Sequence, residues 1–292
     1  MIHSSGFFGT PAPLPDAETS DLELLHESAD GNCLLLKGHR NDRVVVYKCL
    51  KHQFKDDPVQ QRMLRREYEI GASLKHPGVC EVIDWVNIPG YGDCIEMEYI
   101  DGQRLDEWTG GHRKAVSLQR KVLCELCDTL SYIHRKQVVH KDLKPENILV
   151  TNNGNYAKII DFGLSDSDSV LTGKDPAGTL QYAAPEVISG ETAGERSDIF
   201  SFGRILQGMS PAFSGVARKC TETNPARRYA SAEEIRKDLS TAGKTSLVWL
   251  IPLLAVLIAA ALLLLYRPGQ EDPAEKLFLD AVEQVKAAAT PV

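Results

Sequence analysis

The stretch VVHKDLKPENILV, Val138–Val150, is the most informative part of this sequence. Within it, Asp142 and Asn147 stand five residues apart. A short turn and a strand-like stretch, YAKIIDFGLSD, follow it and contain the triplet Asp161–Gly163. Further along, GTLQYAAPE contains the triplet Ala184–Glu186. Each motif alone recurs by chance, but three of them in a fixed order form a far more specific pattern.

This ordered set resembles the catalytic loop, the D-F-G triplet and the A-P-E triplet of eukaryotic-type (Hanks-type) serine/threonine protein kinases. The resemblance covers residues 20–242. It implies an α+β, bilobal protein-kinase-like fold, with a β-rich N-terminal lobe over 20–97 and a hinge and helical C-terminal lobe over 98–242. It also implies ATP and Mg²⁺ as ligands and protein hydroxyls as phosphate acceptors. The run DLKPEN implies a preference for serine and threonine over tyrosine.

The resemblance assigns chemical roles to single residues. Phosphoryl transfer needs positioning and charge neutralisation more than covalent chemistry. Asp142 is expected to accept the proton of the substrate hydroxyl, with Thr179 beside it, and Lys144 to contact the transferred phosphate. Asn147 and Asp161 are expected to hold magnesium.

Other residues match structural positions of the family. Asp198, in SDIFSFG, is expected to hold the backbone of the catalytic loop from a buried helix. Arg228 matches the arginine that pairs with the A-P-E glutamate, Glu186, and removal of either partner would leave an uncompensated buried charge. Structural or regulatory roles are also implied for His140, Phe162 and Gly163.

Upstream, the strand pattern RVVVYKCLK places Lys48 where the family has its nucleotide-binding lysine. A strand lysine is more often simply solvated, so the interpretation needs a partner. The following helical pattern, LRREYEIGASLKHPGV, supplies Glu67 at the family's distance from His76-Pro77. Glu69 is an alternative partner, although it points to another face of the helix. A Lys48–Glu67 ion pair would orient the ammonium group on the α- and β-phosphates.

The stretch CIEMEYIDGQRL resembles the hinge between the lobes. The backbone groups of Glu98–Ile100 are expected to face adenine, with Met97 lining the pocket behind it. Hydrophobic strands also end in Met-Glu-Tyr by chance, and it is the position between Glu67 and Asp142 that favours the hinge.

Two departures from the family favour an alternative function. The glycine-rich loop falls on HESADG, residues 26–31, where only Gly31 is glycine, so fewer backbone amides can approach the phosphates. Gly71 lies four residues after Glu67, where the family places a large apolar residue, and it predicts a packing gap. A pseudokinase that senses nucleotide or acts as a scaffold is therefore the alternative, and an active kinase would depend on a partner or a homodimer.

Smaller departures concern the C-terminal lobe. Lys141 replaces the arginine of H-R-D, so it would contact a phosphorylated activation segment through a single donor group. Little beyond a turn separates SFGRILQGM from SGVARKCTETNP, where the family has a further helix. Ser165, Ser167, Ser169 and Thr172 are expected sites of autophosphorylation, although polar residues fill any exposed loop.

Composition limits the other function classes. A formal net charge of −7 argues against a nucleic-acid partner. The seven cysteines are scattered and odd in number, so we expect reduced thiols, and Cys124 and Cys127 as helix residues rather than a zinc site. The first residues lack the features of a signal peptide, and three prolines predict a flexible leader over residues 1–19.

The stretch LVWLIPLLAVLIAAALLLLY, residues 247–266, contains no charged residue. As a helix it would be roughly 30 Å long, the thickness of a bilayer's hydrocarbon core. The positive charges Arg236, Lys237 and Lys244 precede it, which predicts that the N-terminal side faces the cytoplasm. We therefore expect a single-pass cell-membrane protein with a cytoplasmic kinase domain, a bilayer-embedded helix and a short extracytoplasmic tail over 267–292. Within this tail, AEKLFLDAVEQVKAAA has the pattern of an amphipathic helix.

Overall fold

The computed structural model describes residues 12–13, 21–27, 31–112, 115–162, 180–242, 255–261 and 273–288. These belong to two compact units, Met1–Gly243 and Lys244–Val292.

The N-terminal lobe is a six-stranded sheet with one helix. The elements are β1 (Ala12–Pro13), β2 (Glu23–Glu27), β3 (Cys33–Arg40), β4 (Arg43–Leu50), α1 (Pro58–Ser73), β5 (Val82–Ile88) and β6 (Gly92–Glu98). The strands are arranged in the order β1-β5-β6-β4-β3-β2. Neighbours are antiparallel except for β1 and β5, which are parallel.

Strand β4 places Lys48 in the interior of this lobe. Successive side chains alternate between the faces of a strand. Tyr47 and Cys49 therefore join one apolar cluster, while Val46 and Leu50 join the other, which also contains Leu64 of α1. Lys48 lies between Val46 and Leu50 on the face towards α1.

Helix α1 begins at Pro58, where the missing backbone N–H costs nothing. The Asp57 carboxylate caps it by accepting hydrogen bonds from the amides of Val59 and Gln60. Its buried residues, Leu64, Glu67 and Gly71, recur at helical spacing and share one face. The predicted packing gap at Gly71 is wrong: an added Cβ would lie only 2.5 Å from Cγ2 of Val82, because β5 packs directly against the helix.

Two contacts in the sheet were not predicted. Within the predicted flexible leader, Ala12 and Pro13 pair with Val86 and Asn87 at the edge of β5. The expectation that all cysteines are reduced is also wrong, since Cys49 and Cys94 form a disulfide. These residues are directly opposite in the β4–β6 register, with Cα atoms 4.5 Å apart, so pairing brings their side chains together.

The C-terminal lobe is mainly helical and contains the larger apolar core. Two long helices, over Val116–Arg135 and Glu195–Gln207, lie within it, with Leu126, Leu130 and Phe202 fully buried. The elements are β7 (Gly102–Arg104), α2 (Leu105–Gly111), α3 (Val116–Arg135), β8 (Ile148–Thr151), β9 (Ala157–Ile159), α4 (Pro185–Ile188), α5 (Glu195–Gln207), α6 (Ser214–Cys220) and α7 (Ala232–Thr241). Strands β7, β8 and β9 form a small antiparallel sheet beside 3₁₀ helix Pro145–Asn147.

The short connection predicted after α5 is confirmed. Only Gly208 to Ser210 and the 3₁₀ helix Pro211–Phe213 separate α5 from α6. Cys127 is buried in the core and Cys124 half-buried beside it, as predicted for residues of a helix.

The second unit contains α8 (residues 255–261) and α9 (Pro273–Ala288). Helix α9 confirms the helical pattern of the tail. Over the described part of the chain, no helix is sufficiently long and apolar to cross a bilayer. Only residues 255–261 of the predicted span 247–266 are described.

The contact between Gly71 and Val82 predicts the effect of Gly71→Ala. The added methyl group overpacks the interface, which typically costs about 1–3 kcal/mol, and the better helix propensity of alanine offsets about 1 kcal/mol of it. We expect a net loss of about 0–2 kcal/mol in the free energy of unfolding, measured by urea denaturation followed by circular dichroism. Val82→Ala removes buried methyl groups and is itself destabilising, but it also removes the close contact, so the double variant should lose less stability than the sum of the two single variants.

Gly110→Ala is the matched control, because a Cβ there meets nothing within 4 Å and Gly110 is also in a helix. Equal stability of the two alanine variants would contradict the close contact.

Candidate active site

Lys48 lies at the centre of a charged cluster between the lobes. Its Nζ is 2.5 Å from Oε1 of Glu67 and 3.1 Å from Oδ1 of Asp161. Glu67 is therefore the partner that the sequence favoured over Glu69, whose carboxylate instead pairs with Arg65 and Arg66 on the helix surface. Strand β4, helix α1 and the segment after β9 each supply one member of the cluster.

Within this cluster, the charge of each side chain affects the pKa values of its neighbours. Burial alone would lower the pKa of Lys48, but the carboxylates of Asp161 and Glu67 outweigh it and raise the pKa well above its ordinary value. Burial raises the pKa of Glu67 to about 7, although the Lys48 ammonium opposes this rise. The ionised form of Glu67, which the ion pair requires, is thus favoured as the pH rises above about 7.

The catalytic loop brings three further predicted residues together. The Lys144 ammonium is 2.8 Å from Oδ2 of Asp142. The Asn147 amide nitrogen donates to the same carboxylate oxygen at 3.1 Å and to the Asp142 carbonyl at 2.9 Å. With its NH₂ group donating in this way, the Asn147 side chain retains its carbonyl oxygen as an acceptor.

Asp198 holds this loop as predicted. Its carboxylate accepts hydrogen bonds from the amides of His140 at 2.8 Å and Lys141 at 2.9 Å. Lys141 has a φ of 66°, in the left-handed region that non-glycine residues rarely adopt, and the bond to its amide helps to hold it there. The sequence analysis missed a third partner, His134 of α3, whose Nε2 lies 2.9 Å from Asp198 Oδ2.

His140 and Phe162 lie side by side behind the site, with ring centroids 5.2 Å apart. Both are buried. Two other predicted residues, Gly163 and Thr179, lie outside the described residues, as do the serines and the threonine predicted to be phosphorylated.

The predicted hinge follows β6. Met97 is buried in the apolar cluster between sheet and α1, and Ile100 packs against the same cluster. The Glu98 amide donates to the Glu81 carbonyl at 3.0 Å. A contact that the sequence did not indicate joins the lobes here: Lys158 of β9 lies 2.5 Å from the Glu98 carboxylate.

The stretch predicted as the glycine-rich loop begins in β2 and reaches Gly31 just before β3. Residues 28–30 of it lie outside the described residues. The loop thus joins two antiparallel strands, and β3 pairs with β4, which carries Lys48.

Glu186 and Arg228 form the predicted bidentate pair. Two parallel hydrogen bonds of 2.7 and 2.8 Å join the guanidinium group to the carboxylate. Ser197, which the sequence analysis did not identify, donates a third bond to Glu186 at 2.9 Å. Burial alone would raise the pKa of Glu186, but the bonds from Arg228 and Ser197 lower it below its ordinary value.

Residues 22–250 match the family of protein kinase domains, so the chain belongs to the protein kinase family. The fold agrees with this class: a β-rich lobe and a helical lobe with the charged site between them. The prediction of a bilobal protein kinase domain is therefore confirmed.

Particular relatives include a probable serine/threonine-protein kinase of Streptomyces coelicolor, 31% identical over 68% of this chain and 36% of the relative. The serine/threonine-protein kinase PknB of Mycolicibacterium smegmatis is 30% identical over 70% of this chain and 40% of its own length. The chain thus spans less than half of these relatives. The crystal structure of the Mycobacterium tuberculosis PknI kinase domain has the same fold, with a TM-score of 0.59 at 21% identity, covering 80% of this chain and all of that one.

The Glu186–Arg228 pair makes stability depend on pH. The pKa of Glu186 is lower in the folded protein than in the unfolded chain. The ionised carboxylate therefore contributes its full stabilisation above about pH 4.5, and this stabilisation is lost as the pH falls through the pKa of the folded state. Glu186→Gln should cost about 3 kcal/mol at pH 7, because Arg228 remains buried without a counter-charge. The difference in the free energy of unfolding between this variant and the wild type should become smaller below about pH 4.

Urea unfolding between pH 3 and 7 measures this effect. Glu191→Gln, at an exposed position, is the control and should leave the pH profile unchanged. A Glu186→Gln variant with wild-type stability at pH 7 would rule out this role of the pair.

Proposed function

We propose that the chain is an active serine/threonine protein kinase that transfers the γ-phosphate of ATP to hydroxyl groups of proteins. The observation that carries the proposal is that two groups of predicted residues are joined through neighbouring backbone, since the amide of Ile160, the residue before Asp161, donates to the Asn147 carbonyl at 3.1 Å. Lys48, Glu67 and Asp161 form one of them, and Asp142, Lys144 and Asn147 form the other. The names of the relatives, which are serine/threonine-protein kinases, support the reaction class.

The protein's own residues divide the chemistry between them. The Asp142 carboxylate orients the substrate hydroxyl and accepts its proton. Lys144, already within reach of Asp142, neutralises charge on the phosphoryl group as it moves. Lys48 is held by Glu67 and orients the phosphates of ATP. Met97 lines the adenine pocket, and the backbone of Glu98 and Ile100 faces the base.

The donor set of the site fits magnesium. Mg²⁺ is usually bound through one or two protein oxygens together with substrate phosphates and water. Asp161 offers a partly exposed carboxylate and Asn147 an amide oxygen. Around Lys48, two carboxylates face one ammonium group. A negatively charged polyphosphate therefore needs a further cation to bind there. Asp161 and Asn147 would hold the ion, which would supply positive charge to offset that of the phosphates.

Asp142→Asn tests the proposal. We expect phosphate transfer from labelled ATP to a generic basic protein to fall at least about 100-fold, because the variant cannot accept the hydroxyl proton. Asp128→Asn is the matched control, since Asp128 is an exposed aspartate of α3 whose partner is Arg236. Its activity should equal that of the wild type.

The pseudokinase alternative makes a different prediction in the same experiment. It requires that the wild type transfer no more phosphate than Asp142→Asn, while ATP still raises the melting temperature. Equal, background-level transfer by both proteins would therefore contradict the kinase.

We further propose that residues 247–266 cross the cell membrane and that the kinase domain is cytoplasmic. Support comes from 20 successive residues without charge and from the excess of positive charge before them. Within this stretch the exposed fractions of Val256, Leu257 and Ile258 are 64%, 58% and 53%, which is unfavourable in water.

Alkaline carbonate extraction of cell membranes tests the anchor. The wild type should stay in the membrane pellet, and the double variant Leu257→Lys/Ile258→Lys should be released, because each charge costs about 3 kcal/mol at a bilayer centre. Val282→Lys, in the tail, should remain in the pellet. Release of the wild type would contradict the membrane anchor without affecting the proposed kinase activity.

A further inference from the structure

The side chain of Glu98, the first residue of the hinge, is held from both lobes. Its Oε1 lies 2.5 Å from Nζ of Lys158 in β9 of the C-terminal lobe. The same oxygen accepts a hydrogen bond from the Glu81 amide, just before β5 of the N-terminal lobe, at 2.8 Å. The Glu98 amide donates in return to the Glu81 carbonyl at 3.0 Å. Three contacts therefore fix a single residue of the hinge.

Strand β9 gives Lys158 a fixed base. On one side the strand pairs with β8, where Lys158 is opposite Leu149. On the other side the next residue, Ile159, donates to the Gly78 carbonyl at 2.9 Å and accepts from the Cys80 amide at 2.8 Å. The backbone at Lys158 is thus bonded in two directions, and its ammonium group reaches Glu98 from a rigid strand.

The contact also joins the hinge to the residues proposed to hold magnesium. Strand β8 begins directly after Asn147, and Asp161 follows the end of β9 by two residues. The Ile160 amide connects these two places, because it donates to the Asn147 carbonyl at 3.1 Å. Lys158 therefore ties the hinge backbone to the pair of strands from which the two proposed magnesium ligands extend.

The ion pair of Lys158 and Glu98 is better shielded from solvent than a nearby pair of the same type. The exposed fractions of the two side chains are 19% and 27%. Those of Lys75 and Glu81, whose charged groups are 3.3 Å apart, are 61% and 59%. Exposed pairs of this kind contribute little. Lys75 contacts the Glu81 carboxylate, whereas Glu98 bonds to the Glu81 backbone, so Lys75 does not share in holding the hinge.

We propose that Lys158 is a positioning residue for ATP: by holding the Glu98 carboxylate, it fixes the hinge backbone that receives the adenine base. This inference rests on the proposed kinase function. A backbone that is already fixed need not be ordered when the nucleotide binds, so its fixation favours affinity for the base. Lys158 contacts Glu98 and not ATP in this proposal.

The test compares Lys158→Met with the control Lys75→Met in the full-length protein in detergent. In Lys158→Met, KM for ATP should rise about tenfold, because hinge residues must then be ordered on binding. The dissociation constant of adenosine, which has no phosphate, should rise by the same factor. That of magnesium tripolyphosphate, which has no base, should not change, and neither should kcat at saturating ATP. Lys75→Met should match the wild type in each measurement.

Glu98→Gln tests whether Lys158 acts through Glu98. Glutamine keeps an oxygen that can accept from the Glu81 amide, but it lacks the charge that pairs with Lys158. The double variant Glu98→Gln/Lys158→Met should therefore have a KM for ATP no higher than that of Lys158→Met alone. Independent, multiplying effects of the two substitutions would show that Lys158 does not act through Glu98.

The adenosine measurement decides the positioning role. An unchanged dissociation constant of adenosine in Lys158→Met would overturn it. An equal loss of affinity for tripolyphosphate would also overturn it, because this would indicate general structural damage rather than a change at the hinge. A wild type that binds adenosine and ATP but transfers no phosphate would instead overturn the proposed function, while the comparison of adenosine binding would still decide the role of Lys158.

Discussion

The buried carboxylate of Asp198 is the constraint on which the site depends. Its side chain is fully buried, and it accepts hydrogen bonds from two consecutive backbone amides and lies within hydrogen-bond distance of His134. A buried carboxylate without hydrogen-bond partners would strongly destabilise the folded protein. The groups that bond to Asp198 therefore have little freedom to move. One of them, Lys141, has a backbone conformation that is unfavourable for a lysine. The position of Asp142, one residue further, follows from this arrangement.

The elements around the site were predictable because their signals are local. Strand β4, helix α1 and the buried helix with Asp198 each follow from a periodic pattern combined with a motif. Contacts between distant segments were not predictable in the same way. The Cys49–Cys94 disulfide joins residues 45 positions apart and depends on the register of two strands. The contact of Gly71 depends on which residue of β5 faces the helix, and periodicity alone does not give this information.

The same distinction applies to the site residues. A family motif predicts that Lys48 and Glu67 form an ion pair, but it does not indicate how burial changes the pKa values of the two side chains. Two carboxylates hold the ammonium group charged, while burial pushes the pKa of Glu67 towards neutrality. Ser197 and His134 were missed because a single serine or histidine in a helix carries no signal of its own.

Helix α5 therefore links two features that the sequence presents separately, the catalytic loop and the Glu186–Arg228 pair. Asp198 accepts hydrogen bonds from two amides of the catalytic loop, and Ser197, the residue before it, donates one to the Glu186 carboxylate. Because both contacts are made by one helix, the catalytic loop and the start of α4 are held by residues of the C-terminal lobe. The stretch that replaces the glycine-rich loop begins in β2 of the other lobe and ends just before β3. In the proposed kinase, changes in that stretch would alter how tightly ATP is held and would leave the hydrogen bonds between α5 and the catalytic loop in place.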